Sequence, residues 1–236
     1  MDIVYSVKPS DVNEELRYSL RSLAFIPHDK LFIVGYLPSF INPDTVFYVP
    51  TNPTGNKFQN TTFNLQKIAL DERLSEDFIW MDDDFYIMKE IKNPKEELAL
   101  HKGFVYTVIG KSLEKHGAPT AYMNGAAETM DWLRVYGIKY PLSYELHTPF
   151  VYNKRNLLGI LCLPGTGQIK ILHKRTIYGN LFIKNAKQIK DVKFMNGDKF
   201  EPSSVTEKFL SSADKSFPLM KDFLEKSFPY KSKYER

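Results

Sequence analysis

The chain has 236 residues, with 32 Lys and Arg against 28 Asp and Glu, and a formal net charge of +4. Hydrophobic residues make up 43% and charged residues 25%, both near the globular average, which excludes a wholly disordered chain, a collagen and a coiled coil. No run approaches the ~20 apolar residues of a membrane-spanning helix, and the first residues lack the pattern of a signal peptide. The lone Cys162 has no partner for an internal disulfide and is predicted to be buried. A cytoplasmic protein is therefore expected.

Strands and helices alternate through the first part of the chain. Strands are predicted at 2–7, 31–35, 46–49 and 78–81, and helices at 11–23, capped by Asp11, and from Thr61 or Thr62 to about Leu70. The run 31–35 is continuously apolar, as a strand buried on both faces requires. Strands that alternate with helices of this length predict βαβ units and a mostly parallel sheet.

The second part of the chain is less regular. Helices are predicted at 121–136, 153–162, 174–183 and 218–226, a strand at 169–172, and an extended segment at 144–150. There is no internal repeat and no linker rich in Pro, Gly or Ser. We therefore expect one α/β domain over 1–236. Residues 1–90 would build the sheet, and residues 91–236 would add helices to it, up to the C-terminus.

Three consecutive acidic residues, Asp82, Asp83 and Asp84, follow the predicted strand 78–81 directly. In open α/β sheets, ligands bind outside the carboxyl ends of the strands. Carboxylates crowded there repel one another, and Mg²⁺ or Mn²⁺ would relieve that repulsion while diphosphate oxygens complete its coordination. In an extended segment the first and third side chains share one side. The triplet therefore predicts a divalent metal site, and a solvated turn or helix cap is the alternative.

Three motifs recur in the first ninety residues: 15–22 read ELRYSLRS, 31–35 and 38–40 read LFIVG and PSF, and 74–85 read LSEDFIWMDDDF. In this order they resemble the ELRYSLRS, IYIVTDGQVPSWL and LSERFIYLNDDVF segments of the Stealth family of capsular polysaccharide phosphotransferases. The resemblance covers about residues 2–90. The chain also looks like short phage-encoded glycosyltransferase-like proteins.

The resemblance implies a GT-A-like, Rossmann-like fold, with the nucleotide-sugar donor bound by 1–90 and the acceptor by 91–236. Two features depart from the Stealth pattern. The family's long insert is missing, and its HVPH motif is reduced to His147-Thr148-Pro149-Phe150, without the second His. A Stealth enzyme transfers a sugar-1-phosphate, whereas a glycosyltransferase transfers only the sugar. The missing His favours glycosyl transfer.

The candidate residues fall into three groups. The metal ligands are Asp82, Asp83 and Asp84. The donor-binding candidates, which carry cations, amides or hydroxyls near predicted strand ends and helix starts, are Tyr5, Ser6, Arg17, Arg21, Lys57, Asn60, Asn64, Lys174 and Arg175. The catalytic candidates are Asp84 with His147 and Glu145, which lie two apart, so that an extended segment places both on one face.

The favoured function is a metal-dependent glycosyltransferase that moves a sugar from a nucleotide diphosphate sugar to an acceptor hydroxyl. A polysaccharide, a protein or a modified base in phage DNA could supply that hydroxyl. One alternative is Stealth-type sugar-1-phosphate transfer. A second alternative is a non-catalytic module that binds sugar or nucleic acid on a transferase scaffold.

Overall fold

The computed structural model describes residues 1–10, 12–205 and 207–236. The strands are β1 (Asp2–Val7), β2 (Leu31–Gly35), β3 (Phe47–Pro50), β4 (Asp77–Met81), β5 (Phe85–Ile87), β6 (Leu100–His101), β7 (Phe150–Asn153), β8 (Lys187–Gln188), β9 (Lys193–Phe194) and β10 (Phe209–Ser212). The helices are α1 (Glu14–Ser22), α2 (Lys57–Ala69), α3 (Pro94–Glu97), α4 (Val105–His116), α5 (Ala121–Val135), α6 (Lys154–Leu161), α7 (Lys174–Phe182) and α8 (Phe217–Ser227).

The central sheet has five strands in the order β3-β2-β1-β4-β7. β1 pairs in parallel with both β2 and β4, and β2 pairs in parallel with β3. β7 is antiparallel to β4 at one edge. The predicted α/β architecture with a mostly parallel sheet flanked by helices is therefore confirmed. The sheet is compatible with a Rossmann-like fold.

Helices cover both faces of the central sheet, so side chains that alternate along a strand enter two separate cores. Ile3 and Tyr5 of β1 pack in the core that α1 covers through Leu16 and Leu20. Val4 points to the opposite face, where residues of α2, α6 and α7 pack against β2 and β4. Burial on both faces explains why β2 is continuously apolar.

Two small sheets extend the structure beyond the central sheet. β10 pairs antiparallel with β5 and parallel with β9, while β6 pairs in parallel with β8. α8 closes a third core against β5 and β10. Among the described residues, no helix is both long and apolar enough to span a bilayer.

Three expectations about local structure are wrong. α2 begins at Lys57 rather than at a threonine, because the Asn56 side chain accepts hydrogen bonds from two amides of the first turn and Gln59 Oε1 accepts one from the Asn56 amide. Residues 169–172 form a loop rather than a strand, and the amide that follows this loop donates to a side chain of α5. Cys162 is exposed. Asp11, the predicted cap of α1, lies outside the described residues.

Candidate active site

A cavity of about 180 Å³ lies where β4 ends, between the first half of α2, the 144–150 segment and the start of α7. Five of the predicted site residues line it: Asp82, Glu145, His147, Lys174 and Arg175. A larger cavity of about 630 Å³ lies between α1 and the C-terminal segment, and Arg21 is its one predicted site residue among those described. The smaller cavity is the better candidate, because charged groups of both signs converge there at the carboxyl edge of the sheet.

The acidic triplet forms a turn, not the extended segment that the sequence predicts. The Phe85 amide donates to the Asp82 carbonyl at 3.2 Å, which closes the turn between β4 and β5. The three carboxylates consequently face three different surroundings. Asp82 lines the cavity, where the indole Nε1 of Trp80 donates to its Oδ1 at 3.1 Å.

The other two carboxylates of the turn lie outside the cavity. Lys193 pairs with Asp84, with Nζ 2.7 Å from Oδ2. Asp83 lines a separate shallow pocket that also contains Lys8 and Glu15. Burial, together with the negative charges of Asp84 and Asp82, raises the pKa of Asp83 to about 7. Burial also raises the pKa of Asp82, although Arg175 opposes this shift.

Carboxylate oxygens suit Mg²⁺ or Mn²⁺, and Mg²⁺ is commonly held by one or two carboxylates with ligand oxygens completing its coordination. Among the described residues, no three His, Cys, Asp or Glu side chains are placed to hold a metal ion together. Burial is the main cause of the raised pKa of Asp83, and the neighbouring charges of Asp84 and Asp82 add to it. The chemistry of the turn therefore fits a divalent cation shared with a bound ligand, and does not form a metal site closed by protein groups alone.

Arg175 is the cation that the fold fixes most firmly in the cavity wall. Its Nη1 donates to the carbonyls of Leu146 at 2.7 Å and Thr148 at 2.8 Å, and its guanidinium lies 5.5 Å from the rings of Phe85 and Phe150. The side chain is only 10% exposed, and Nη2 lies 3.9 Å from Asp82 Oδ2. Two carbonyls and two rings thus hold a buried positive charge beside the acidic turn.

Glu145 and Lys174 are two further charged residues of the cavity wall. Glu145 Oε1 accepts from the Thr176 amide at 3.1 Å, and Lys174 Nζ donates to Thr62 Oγ1 at 2.9 Å. Although burial opposes it, the positive charges of His173, Arg175 and Lys174 lower the pKa of Glu145. Burial lowers the pKa of Lys174, and the negative charge of Glu145 partly offsets this by raising it. Glu145 is therefore a carboxylate stabilised in its ionised form, which weakens it as a base.

His147 shares the cavity with Glu145, as the spacing of the two residues predicts, although the 144–147 segment is irregular rather than a strand. Its Nδ1 lies 3.0 Å from both carboxylate oxygens of Asp191, and its backbone amide donates to Asp191 Oδ1 at 3.1 Å. The edge of its ring faces Phe85. His147 is thus oriented by a neighbouring carboxylate that the sequence did not single out.

Ser6 and Asn64 lie at the carboxyl end of β1 and are joined directly, because Asn64 Nδ2 donates to Ser6 Oγ at 2.9 Å. Thr51 extends this network by donating to Asn64 Oδ1 at 2.7 Å. Asn60, one turn earlier on α2, has a buried Oδ1 with no hydrogen-bond partner among the described groups. Lys57 is exposed, with Nζ above its neighbour's ring. None of these residues is among those that line the cavity.

Tyr5 and the two arginines of α1 are placed elsewhere. The Tyr5 side chain is fully buried, and its hydroxyl bonds Ser19 Oγ at 2.8 Å, so only its backbone faces the sheet edge. Arg21 pairs with Glu235 through contacts of 2.9 and 3.0 Å, and Arg17 reaches the same carboxylate at 3.4 Å. Arg17 and Arg21, which the sequence predicts as donor-binding residues, thus pair with a buried glutamate and do not line the cavity.

The sequence reasoning missed several residues of the site. Tyr122 and His173 line the cavity, and their rings lie 4.4 Å apart. Asp191 lies between β8 and β9, and Lys193 begins β9, in a region that only a weak alternation marks in the sequence. Trp80 lies in the LSEDFIWMDDDF motif, but only the structure shows that its indole donates a hydrogen bond to Asp82. No local pattern points to these five residues.

No protein-family model matches the chain, and no curated protein matches it. The resemblance to the Stealth family therefore stays a prediction.

Proposed function

We propose that this chain is a metal-dependent glycosyltransferase that takes its sugar from a nucleotide diphosphate sugar. The observation that carries the proposal is the cavity at the carboxyl edge of the parallel sheet, which Asp82, Arg175, Glu145, Lys174 and His147 line together. A donor with a diphosphate and a sugar presents both the anionic oxygens and the hydroxyls that such a mixed set recognises. The central sheet is compatible with the GT-A-like fold that the resemblance implies.

The cations of the cavity are suited to the donor diphosphate. Arg175 is held rigidly by two carbonyls, so its outer face is pre-organised for phosphate oxygens. Lys174 follows His173 at the start of α7, where the helix dipole also favours an anion. On this proposal Ser6 and Asn64, at the carboxyl end of β1, lie on the side of the nucleoside.

Asp82 and Asp84 are the groups that would hold Mn²⁺ or Mg²⁺, and Asp84, which lies outside the cavity lining, would have to exchange its Lys193 partner for the ion. A divalent cation there would supply positive charge to the diphosphate as the sugar departs. The Lys193 ammonium, 2.7 Å from Asp84, balances part of the negative charge of the turn.

His147 is the proposed general base. The acceptor hydroxyl oxygen forms a bond to the anomeric carbon of the sugar while the bond between that carbon and the diphosphate oxygen breaks. The hydroxyl proton moves to the ring of His147, and the electron pair of the broken bond leaves with the nucleoside diphosphate. Glu145, whose pKa is lowered, is suited to hold sugar hydroxyls or the neighbouring cations rather than to take a proton.

Turnover of the donor tests the proposal. The protein is incubated with a panel of nucleotide sugars and Mn²⁺ or Mg²⁺, and the released nucleotide is identified by mass. We expect a nucleoside diphosphate from at least one donor, abolished in Arg175→Gln and Asp82→Asn. Arg155→Gln is the matched control, because the Arg155 side chain is 88% exposed and pairs only loosely with Glu76, at 3.4 Å.

Other outcomes separate the competing functions. A nucleoside monophosphate would replace the proposal with Stealth-type sugar-1-phosphate transfer. Absence of any nucleotide, combined with no thermal shift from any donor, would reject the enzyme and favour a binding module. Folding of each variant is checked by circular dichroism, since Arg175 also bridges two backbone carbonyls.

A further inference from the structure

The carboxylate beside His147 is fixed from several directions. Asp191 lies in the short segment between β8 and β9, and each of these strands pairs with a different small sheet. The Ile189 amide donates to the His101 carbonyl at 2.9 Å on one side, and the Val192 carbonyl accepts from Ser211 at 3.3 Å on the other. Lys102 Nζ lies 3.7 Å from the Asp191 carboxylate. This carboxylate is therefore held on a segment with anchors at both ends.

The residue that Asp191 contacts is anchored as well. Leu146, which precedes His147, accepts through its carbonyl from Arg175 at 2.7 Å, and the Ser143 backbone accepts from the Lys102 amide at 2.9 Å and donates to the Gly103 carbonyl at 2.8 Å. Asp191 contacts His147 twice, through the ring Nδ1 and through the backbone amide, so the ring and its backbone are set by one carboxylate. Lys193, which begins β9 two residues after Asp191, reaches Asp84.

We infer that Asp191 is a positioning residue that fixes His147 in the tautomer with its proton on Nδ1. An ionised carboxylate only accepts hydrogen bonds, so it requires a proton on the ring nitrogen that faces it. The other nitrogen, Nε2, then carries the free lone pair, and among the described groups it has no protein partner. The catalytic role of that lone pair rests on the proposed function, whereas the assignment of the tautomer does not depend on it.

The consequence for the reaction is a defined path for one proton. The acceptor hydroxyl gives its proton to Nε2, and the ring becomes an imidazolium whose Nδ1–H stays bonded to Asp191. The carboxylate stabilises this cation without taking the proton. In the opposite tautomer, Nε2 would carry a proton at the start and could not accept the one from the hydroxyl.

Nitrogen NMR of the uniformly ¹⁵N-labelled protein tests the inference without any substrate. At a pH where the imidazole is neutral, the long-range ¹H–¹⁵N correlations of His147, assigned with His147→Gln, report which nitrogen holds the proton. We expect the Nδ1–H form in the wild type and in Asp191→Glu. In Asp191→Asn, the amide can also donate to Nδ1, so the Nε2–H form should rise. Asp222→Asn, which removes an exposed carboxylate from α8, should leave the spectrum of His147 unchanged.

Turnover of the donor provides the second readout. With the acceptor present, kcat of Asp191→Asn should fall by about 10²-fold, the scale of a general base, while KM for the donor stays within a factor of about 3. Asp191→Glu should recover part of the loss, and Asp222→Asn should match the wild type.

A wild-type His147 in the Nε2–H form, or a tautomer that Asp191→Asn does not alter, would overturn the inference. If Asp191→Asn does not fold, the wild-type spectrum alone decides. If NMR shows the expected tautomers but no donor is turned over, the proposed function is rejected, and the inference that Asp191 orients His147 still holds.

Discussion

Replacing Arg21 with Gln should destabilise the protein rather than impair donor binding. Arg21 contacts Glu235 at 2.9 and 3.0 Å, and the Glu235 side chain has no exposed surface. The mutation would leave that carboxylate with only the more distant Arg17, at 3.4 Å, and with Ser232. Removing one partner of a buried ion pair costs 3–5 kcal/mol, and since Arg17 and Ser232 remain we expect a loss of about 3 kcal/mol.

Urea unfolding followed by circular dichroism measures this loss, which corresponds to a melting temperature lower by roughly 6–12 °C in a chain of this size. Arg155→Gln is again the control, because its exposed pair should contribute less than about 1 kcal/mol. The double variant of Arg21→Gln with Glu235→Gln should be less destabilised than the sum of the two single variants.

Acidification supplies an independent check of the same ion pair. Although burial opposes it, hydrogen bonds from Arg21 and from the Ser232 amide lower the pKa of Glu235. The stabilisation is therefore complete above the ordinary pKa of a glutamate and is lost as the pH falls through the lower pKa of the folded state. The difference between the wild type and Arg21→Gln should shrink over that range. A variant as stable as the wild type, but with KM for the donor raised tenfold, would refute this reasoning and return Arg21 to the donor site.

Three other predictions concern separate parts of the molecule. Backbone amides at the start of α3 and the Lys208 ammonium hold the pKa of Glu97 at about 2. Glu97→Gln should therefore lower the free energy of unfolding by ~1–2 kcal/mol at pH 7, and this difference from the wild type should vanish as the pH falls from about 5 towards 2. An equal difference at pH 5 and at pH 2 would contradict the prediction. Gly179→Ala should cost about 3 kcal/mol or prevent folding, because the new Cβ would lie 2.4 Å from the Tyr144 ring, and a melting temperature within 2 °C of the wild type would show that the ring moves freely. Asp84→Asn should keep the circular dichroism spectrum and lose metal-dependent donor turnover, whereas wild-type turnover that survives excess chelator would reject the metal site.

Much of the central sheet could be predicted from the sequence, because its signals are local. β1, β2 and β4 are apolar runs that end in recognisable breaks, and they lie within one residue of their predicted bounds. The β4 strand also fixed the place of the acidic turn, and with it Asp82. The capping box at Asn56 is a local signal too, so the earlier start of α2 was open to sequence reasoning.

The remaining features depend on contacts between distant residues. Arg17 and Arg21 share a face of α1, as their spacing predicts, but the carboxylate on that face is Glu235, more than two hundred residues away in the chain. Asp191 reaches His147 across 44 positions, and Lys193 reaches Asp84 across 109. No sequence periodicity predicts pairs of residues so far apart. From the sequence alone, each of these polar side chains could equally well be exposed to solvent.

The indole signals of the two tryptophans provide the most direct test that the cavity binds a nucleotide. Trp80 Nε1–H donates to Asp82 in the cavity, whereas Trp132 Nε1–H donates to the Pro164 carbonyl at 2.9 Å and lies outside the cavity lining. The ¹⁵N-labelled protein is titrated with UDP, GDP, ADP and CDP in the presence of Mg²⁺, with assignment by Trp132→Phe. We predict that one diphosphate shifts the Trp80 signal saturably and leaves Trp132 in place. If millimolar amounts of all four shift neither signal, or shift only Trp132, the donor site does not lie at the acidic turn.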